Sequence, residues 1–231
     1  MRLLCVVTLL LTLPTNADQA RVHALEKHYQ SVRTLKAGFY ERYSDGKGPG
    51  TAESGTVYFS RPGRMRWDYE SPEPKVFLVD GKNVWFYVPA DRTASRAKIN
   101  ESSDWRTPLA LLTGKADLSH LCRSIEITNA RAASVPPDEK PSSNSGTIFN
   151  CKARSSSAAD SVSPGEILFE TDAANRLVRV AIREPGNVET EFRFGNWEEN
   201  LLIPEATFHF APPPGVTIVD EATLAGATRQ R

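Results

Sequence analysis

The stretch from Gly55 to Pro89 restricts the possible folds of this chain more than any other part of the sequence. Between residues 64 and 69, apolar and charged residues alternate one by one, which is the period of a half-buried β-strand. The apolar residues are Met65, Trp67 and Tyr69, and the charged ones are Arg64, Arg66 and Asp68. We expect the first three side chains to point to one side of a sheet and the other three to point to solvent.

Turn signals divide this stretch into a meander of four consecutive strands. Pro62-Gly63 indicates a turn, Ser71–Pro74 interrupts pairing with two prolines, and Asp80–Asn83 is a strong hairpin signal. The strands are expected at residues 56–60, 64–69, 76–79 and 84–88. Two of the four tryptophans lie here, and so much aromatic surface requires another element of the protein to cover it.

Further strands are expected on both sides of the meander. Leu35–Tyr43 alternates, with Phe39 on the same side as Glu41 and with Tyr40 on the other side. The later strands are expected at residues 122–128, 147–151, 166–171, 177–183, 189–194, 206–210 and 216–219. The total of about ten or eleven strands predicts a mainly β protein, in which an antiparallel sheet curls into an open or incomplete barrel.

Two amphipathic helices are expected beside the sheet. Asp18 is a suitable cap for a helix that continues to about Val32, with apolar residues at three- and four-residue steps. The second helix, Leu109–Thr113, follows Thr107 and Pro108 and carries Leu109 and Leu112, unusually apolar residues for a surface turn.

The remaining segments are polar. Residues 132–146 and 155–165 are rich in Ser, Pro and Ala, which indicates solvent-exposed loops, and residues 223–231 are expected to form a frayed tail. No charge run or long linker divides the strand pattern, so residues 18–231 are expected to form a single domain. The 28 basic and 28 acidic side chains balance, which argues against binding to nucleic acid or to an anionic membrane surface.

The first seventeen residues have the organisation of a secretory signal peptide. Arg2 precedes the apolar run Leu3–Leu13, and Thr15–Ala17 offers small residues for cleavage before Asp18. The alternative is a core strand or a frayed terminus. Cys5 lies inside the apolar run, whereas a lipidated cysteine would follow it, so we expect a soluble, exported protein without an anchor.

Export changes the interpretation of the cysteines. After removal of Cys5 with the signal peptide, the chain retains Cys122 and Cys151, an even pair in an oxidising compartment. Each belongs to an alternating stretch, and the two residues lie roughly opposite each other if these stretches form a hairpin. We expect a disulfide, with free buried thiols as the alternative; a nucleophile or metal ligand would need a partner that the sequence does not show.

The sequence contains no signature of an enzyme. Its four histidines are scattered, and there is no HExxH, GxSxG, P-loop or dinucleotide-binding motif. Glu101 and Asp104 are close in sequence, but two carboxylates in a polar loop usually form a solvated surface. We therefore expect neither catalysis nor a bound metal or cofactor. An aromatic sheet covered by two helices fits a hydrophobic pocket with a lid, or else an ordinary core.

Several short motifs occur one after another along the chain: Phe59–Pro62, Met65–Tyr69, Asp80–Lys82, Val84–Pro89, Thr107–Leu109 and Phe208–Val219. In this order they resemble the LolA-type periplasmic carriers of outer-membrane lipoproteins. The resemblance extends from about Asp18 to Asp220. The resemblance implies an eleven-stranded open half-barrel that helices close over the concave face.

The resemblance also implies a function and its partners. Carriers of this type take acylated lipoproteins from an inner-membrane Lol ABC transporter to the outer membrane, where an acceptor such as LolB receives them. The absence of a cysteine after the apolar run favours the soluble carrier, as a monomer, over the lipid-anchored acceptor. Two alternatives stay open: a periplasmic sensor on a similar fold, which normally has a second domain, and a carrier of another lipid or glycolipid.

The resemblance assigns roles to individual residues. Arg61 matches the arginine that acts as the latch of the lid, through hydrogen bonds to the backbone of a lid helix. Met65 and Trp67 match positions that line the family's cavity. The full set of residues expected to line the lipid-binding cavity is Phe39, Met65, Trp67, Tyr69, Leu78, Trp85, Tyr87, Leu109 and Leu112.

Overall fold

The computed structural model describes residues 16–98, 118–129, 146–154 and 165–220. In these four segments, twelve β-strands form one sheet that is accompanied by two α-helices and one 3-10 helix. The expected fold class, a mainly β protein with an open sheet, is confirmed. The signal peptide (residues 1–17) lies outside the described residues except for its last two positions. The helix expected at 109–113, the tail at 223–231 and nearly all of the two polar loops also lie outside them.

The elements before residue 99 are α1 (Asn16–Ser31), β1 (Thr34–Ser44), β2 (Thr51–Ser60), β3 (Arg64–Ser71), β4 (Lys75–Val79), β5 (Asn83–Val88) and β6 (Thr93–Lys98). Those after residue 117 are α2 (Leu118–Leu121), β7 (Cys122–Asn129), β8 (Thr147–Ala153), β9 (Glu166–Thr171), β10 (Leu177–Glu184), β11 (Val188–Glu199), the 3-10 helix Glu205–Phe208 and β12 (Thr217–Asp220).

The strand order places the N-terminal and C-terminal halves of the chain side by side. It runs β12-β6-β5-β4-β3-β2-β1-β11-β10-β9-β8-β7, so β1 pairs with β2 on one side and with β11 on the other. Neighbouring strands are antiparallel except for β12, which lies parallel to β6. The described sheet therefore ends at β7 and β12 and does not close into a barrel.

One expected strand is wrong, and one observed strand was not expected. Residues 206–210 do not form a strand: a 3-10 helix begins at Glu205, and its Phe208 packs against the sheet. Pro204 and three consecutive prolines at 212–214 surround this segment, and because proline has no backbone N–H, the segment cannot sustain a ladder of hydrogen bonds. The strand β6 was not expected, because its sequence TASRAK contains no large apolar residue.

The helix α1 contributes one apolar stripe to the core, as its periodicity predicts. It begins at Asn16, so Asp18 lies in its first turn instead of at the cap. Leu25 and Tyr29 are buried, and the Tyr29 hydroxyl accepts a hydrogen bond from Leu177 N at 2.7 Å. Burial raises the pKa of Tyr29, so this phenol stays protonated. The helix is thereby joined to the start of β10.

Glycine is required at two positions of the meander, one in a turn and one where two strands approach each other closely. Gly63 has a φ of 68°, which completes the turn after Pro62 and favours a residue without a side chain. At Gly55, a Cβ atom would lie 1.9 Å from Asp68 O on the neighbouring strand. Pairing between β2 and β3 shifts register at this position, so the close approach belongs to a β-bulge.

Candidate functional site

The two faces of the sheet carry different sets of side chains. We call the face that carries Phe39 and Trp67 the inner face, and the opposite one the outer face. Side chains of directly paired residues lie on the same face, so the register assigns every position. The inner face and the apolar stripe of α1 belong to one core cluster, so α1 covers part of this face.

An aromatic cluster lies at the centre of the inner face. Trp67 is fully buried. It contacts phenylalanine rings from β2, β1 and β11, the next three strands on one side of β3. The ring centroids of Phe39, Phe192, Phe59 and Phe194 lie 4.7, 5.4, 6.1 and 6.1 Å from that of Trp67. Met65 and Tyr69 flank Trp67 and are also buried, as the alternation in β3 predicts.

Polar groups border this cluster at one end. Glu41 is buried, and it accepts a hydrogen bond from the Tyr69 hydroxyl at 2.8 Å. Lys75 forms an ion pair with Glu53, and its ammonium group lies 4.6 Å from the centroid of the Tyr69 ring. The border is therefore built from paired groups, and the centre of the face is apolar.

Arg61 connects the sheet to the C-terminal end of α1. Its Nη1 donates a hydrogen bond to Gln30 O at 2.7 Å, and its backbone N–H donates to Arg33 O at 3.1 Å. The Nε and Nη2 atoms are buried without an acceptor in the described structure. Burial lowers the pKa of the Arg61 guanidinium, because the charged form loses part of its hydration. A single hydrogen bond from this side chain therefore joins the turn before β3 to the helix.

The residues expected to line one cavity are divided between the two faces. Leu78 pairs with Arg66 and Trp85, and Val76 pairs with Tyr87, so Leu78, Trp85 and Tyr87 all belong to the outer face. Phe39, Met65, Trp67 and Tyr69 lie together on the inner face. Leu109 and Leu112 are outside the described residues. The prediction of one shared cavity surface is therefore wrong for Leu78, Trp85 and Tyr87.

The C-terminal segment, residues 201–216, covers these outer residues. The Phe210 ring lies 4.9 Å from that of Trp85 and 5.4 Å from that of Tyr87, measured between centroids. Arg66 donates a hydrogen bond to Thr207 O at 3.2 Å, and Arg64 forms an ion pair with Glu205. The outer residues of β4 and β5 thus belong to a second core that the chain covers with its own C-terminal segment.

The outer face of β9–β11 is charged instead of apolar. Arg179 forms ion pairs with Glu170 at 2.9 Å and with Glu191 at 3.2 Å, and Arg193 approaches Glu191 at 2.9 Å. Burial by itself would raise the pKa of Glu191, but the hydrogen bonds and charges of Arg193 and Arg179 outweigh it and lower the pKa. This half of the outer face carries a network of paired charges.

A cleft of about 360 Å³ separates α1 from β7. Val22, Ile125 and Ile127 supply its apolar lining, and His23 and Glu26 lie on the helix side. The same three apolar residues contact the inner core cluster, so the cleft adjoins that cluster at one edge. Its volume is at the lower end of the range for small-molecule pockets.

Cys122 and Cys151 join the two strands beside this cleft. The Sγ atoms are 2.07 Å apart, and the bond connects β7 to β8 close to where the register shifts. Neither cysteine is available as a thiol.

Among the described residues, no three His, Cys, Asp or Glu side chains come together as a metal site. No helix in the described segments has the length and apolar character to cross a membrane.

The sequence analysis did not include three residues of the aromatic cluster among the expected lining residues. Phe59, Phe192 and Phe194 pack around Trp67, yet they were not among the expected lining residues. Phe192 and Phe194 flank Arg193 in an alternating strand, a pattern that predicts two rings on one face. Only the pairing of β11 with β1 shows that this face is the one that carries Trp67.

The fold and the site together are an open sheet with an aromatic inner face, which a helix partly covers and paired charges border. Residues 30–211 match the family described as outer membrane lipoprotein carrier protein LolA. This match covers most of the chain, and the protein belongs to that family. Its members are carriers and not enzymes, which confirms the expectation that this protein has no catalytic activity.

Individual relatives agree with this assignment. The outer-membrane lipoprotein carrier protein of Azotobacter vinelandii is 30% identical over 209 residues, which cover 90% of this chain and 92% of the relative. The protein of the same description from Dechloromonas aromatica is 28% identical over 211 residues, with 90% and 92% coverage. An uncharacterized conserved protein from Thermus thermophilus superposes with a TM-score of 0.53 at 12% identity, covering 89% of this chain and 99% of that one, which shows a shared fold alone.

Proposed function

We propose that this protein is a periplasmic carrier that shelters the acyl chains of lipoproteins against the inner face of its sheet. Family membership supports this function, and the aromatic cluster around Trp67 is the structural observation that carries it. Exposure of three chains of about fifteen carbons to water would cost on the order of 35 kcal/mol, at ~0.8 kcal/mol per methylene. A carrier must therefore offer a continuous apolar surface, and we assign this role to the buried aromatic side chains of the inner face, which α1 partly covers.

Arg61 is the residue that we assign to closing the protein over its cargo. The support is its hydrogen bond to Gln30 O, which joins the last turn of α1 to the sheet. Two of its buried nitrogen atoms lack acceptors in the described structure, so the bond gives less net stabilisation than a fully satisfied guanidinium would. A contact of modest strength suits a helix that has to move when cargo enters and leaves.

The partners and the route follow from the same assignment. Lipoproteins released by an inner-membrane ABC transporter are the cargo, and an acceptor of the LolB type at the outer membrane receives them. Residues 1–17 direct export and are removed, and residues 18–231 act as a single domain and as a monomer. The Cys122–Cys151 disulfide supports this route, because such bonds persist in the oxidising periplasm.

Native mass spectrometry of protein purified from the periplasm tests the proposed function directly. We expect additional mass that corresponds to a protein with three acyl chains, released when the complex is activated in the gas phase. Bound phospholipid or glycolipid without any lipoprotein would identify a carrier of another lipid. Protein that is empty, and that binds no purified lipoprotein when the two are mixed, would overturn the proposal.

A further inference from the structure

The indole N–H of Trp67 is unusual among the tryptophans of this protein. The structure describes three of the four tryptophans. The indole N–H of Trp85 donates to Asp80 Oδ2 at 3.0 Å, and that of Trp197 donates to Leu177 O at 2.8 Å. Trp67 is the most buried of the three, and its Nε1 has no acceptor within the described structure.

An unpaired donor at this position is costly. Buried polar groups nearly always find a partner, and one that does not has lost its hydrogen bonds to water without replacement. A phenylalanine would fill much of the same space without that cost. The polar groups that border the cluster do not relieve it, because none of their acceptor atoms forms a hydrogen bond with Trp67 Nε1.

The chemistry of the cargo supplies the missing acceptor. An acyl chain differs from a plain hydrocarbon by the carbonyl group at its head, in an ester or an amide bond. That carbonyl also loses its water when the chain is buried, so it needs a donor in the same place. An indole N–H is a donor only, and it is the single polar atom of the Trp67 side chain.

We propose that Trp67 is a positioning residue for the cargo, whose indole N–H donates a hydrogen bond to an ester or amide carbonyl of a bound acyl chain. This inference rests on the proposed function. It predicts that the pocket distinguishes acyl chains from alkyl chains of the same length. A single hydrogen bond also suits delivery of the cargo. It fixes the head of the acyl chain, and the apolar contacts along the rest of the chain stay adaptable.

The test compares two fluorescent glycerolipid probes that differ only in how their hexadecyl-length chains are attached, by ester or by ether bonds. The ether probe lacks the carbonyl. For each protein we measure the ratio of the ether Kd to the ester Kd, which cancels differences in chain burial. We expect this ratio to fall by about fivefold in Trp67→Phe relative to the wild type, the usual contribution of one neutral hydrogen bond.

Trp197→Phe is the matched control, because Trp197 contacts the same core but already donates to Leu177 O. Its ratio should equal that of the wild type. An unchanged Kd ratio in Trp67→Phe would overturn the inference, whether or not the overall affinity falls. It would indicate that the indole N–H interacts instead with the face of a phenylalanine ring. Wild-type protein that binds neither probe would overturn the inference, and the proposed function would fall with it only if purified lipoprotein also failed to bind.

A spectroscopic measurement on the wild type keeps the inference testable if Trp67→Phe does not fold. In protein labelled with ¹⁵N-tryptophan, the indole proton of Trp67 should shift downfield with the ester probe and much less with the ether probe. The indole protons of Trp85 and Trp197 should respond equally to the two probes. Equal shifts of Trp67 with both probes would contradict a hydrogen bond to the carbonyl.

Discussion

The two faces of one sheet carry aromatic cores that differ in what covers them. On the inner face, Trp67 belongs to a cluster that α1 covers, and α1 is attached at separate points such as the Arg61–Gln30 hydrogen bond. On the outer face, Trp85 lies under the C-terminal segment, which ion pairs and the β12–β6 ladder hold along its length. Alternation in a strand distributes apolar residues between faces, but the covering element decides which face is available to a ligand.

Replacement of each tryptophan by alanine gives the largest expected effect. Trp67→Ala should lower the free energy of unfolding by about 3–5 kcal/mol, because a fully buried ring leaves a cavity among four other rings. Trp85→Ala should cost less, about 2–3 kcal/mol, since this ring is 8% exposed and not fully buried. Urea denaturation followed by circular dichroism measures both values, and a larger loss in Trp85→Ala would reverse the ranking of the two cores.

A buried charge on the inner face tests the difference in function. Met65→Glu should weaken binding of an acylated lipoprotein about a hundredfold, because an unpaired carboxylate would lie where we propose that the acyl chains pack. Tyr40→Glu is the control, since Tyr40 is 43% exposed on the outer face. Its binding should stay within about twofold of the wild type. Equal losses in both variants would mean that the inner face is not the binding surface.

How far the sequence predicts these two cores depends on the pattern of each strand. In β3 the alternation of Met65, Trp67 and Tyr69 with charged residues separated the two faces correctly. The charged residues were expected in solvent, however, and they lie half-buried under the C-terminal segment. In β4 the run VFLV is apolar on both faces, so periodicity alone cannot place Leu78. Only its pairing with Arg66 does so, and Trp85 and Tyr87 follow from that register.

The sequence pattern could not predict contacts between segments that are far apart in the chain. Residues 206–210 resemble a strand in composition, although prolines surround them. The C-terminal segment covers the outer core through contacts such as that between Phe210 and Trp85, which are far apart in the chain. The contact between Arg61 and Gln30 similarly joins a turn to a helix end. The resemblance to a family suggested the second contact, and no local rule suggested the first.

The attachment of α1 is the next and smaller target. Arg61→Leu should change the free energy of unfolding by no more than about 1 kcal/mol, because it removes one hydrogen bond and also two unpaired buried nitrogens. Transfer of lipoprotein to acceptor membranes should slow about tenfold, since closure over the cargo weakens. Arg33→Leu is the control, as its side chain is exposed beside the same helix end. Normal transfer by Arg61→Leu would remove Arg61 from the mechanism.

The smallest effect concerns the hairpin that supports the outer core. Burial by itself would raise the pKa of Asp80, but hydrogen bonds from Asn83 N, from the indole of Trp85 and from Lys82 N outweigh it and lower the pKa. A carboxylate whose pKa is lower in the folded state stabilises the protein above its ordinary pKa, near 4, and this contribution is lost as the pH falls through the folded value.

Asp80→Asn should therefore reduce the free energy of unfolding by about 1 kcal/mol at pH 7 and at pH 5, and the difference from wild type should shrink at pH 3. The substitution keeps one acceptor oxygen for the indole of Trp85 but removes the charge. Because the indole that Asp80 holds belongs to the outer core, lipoprotein binding at pH 7 should be unchanged. A loss of binding in Asp80→Asn would show that the two cores are coupled through β4 and β5 and do not act as separate units.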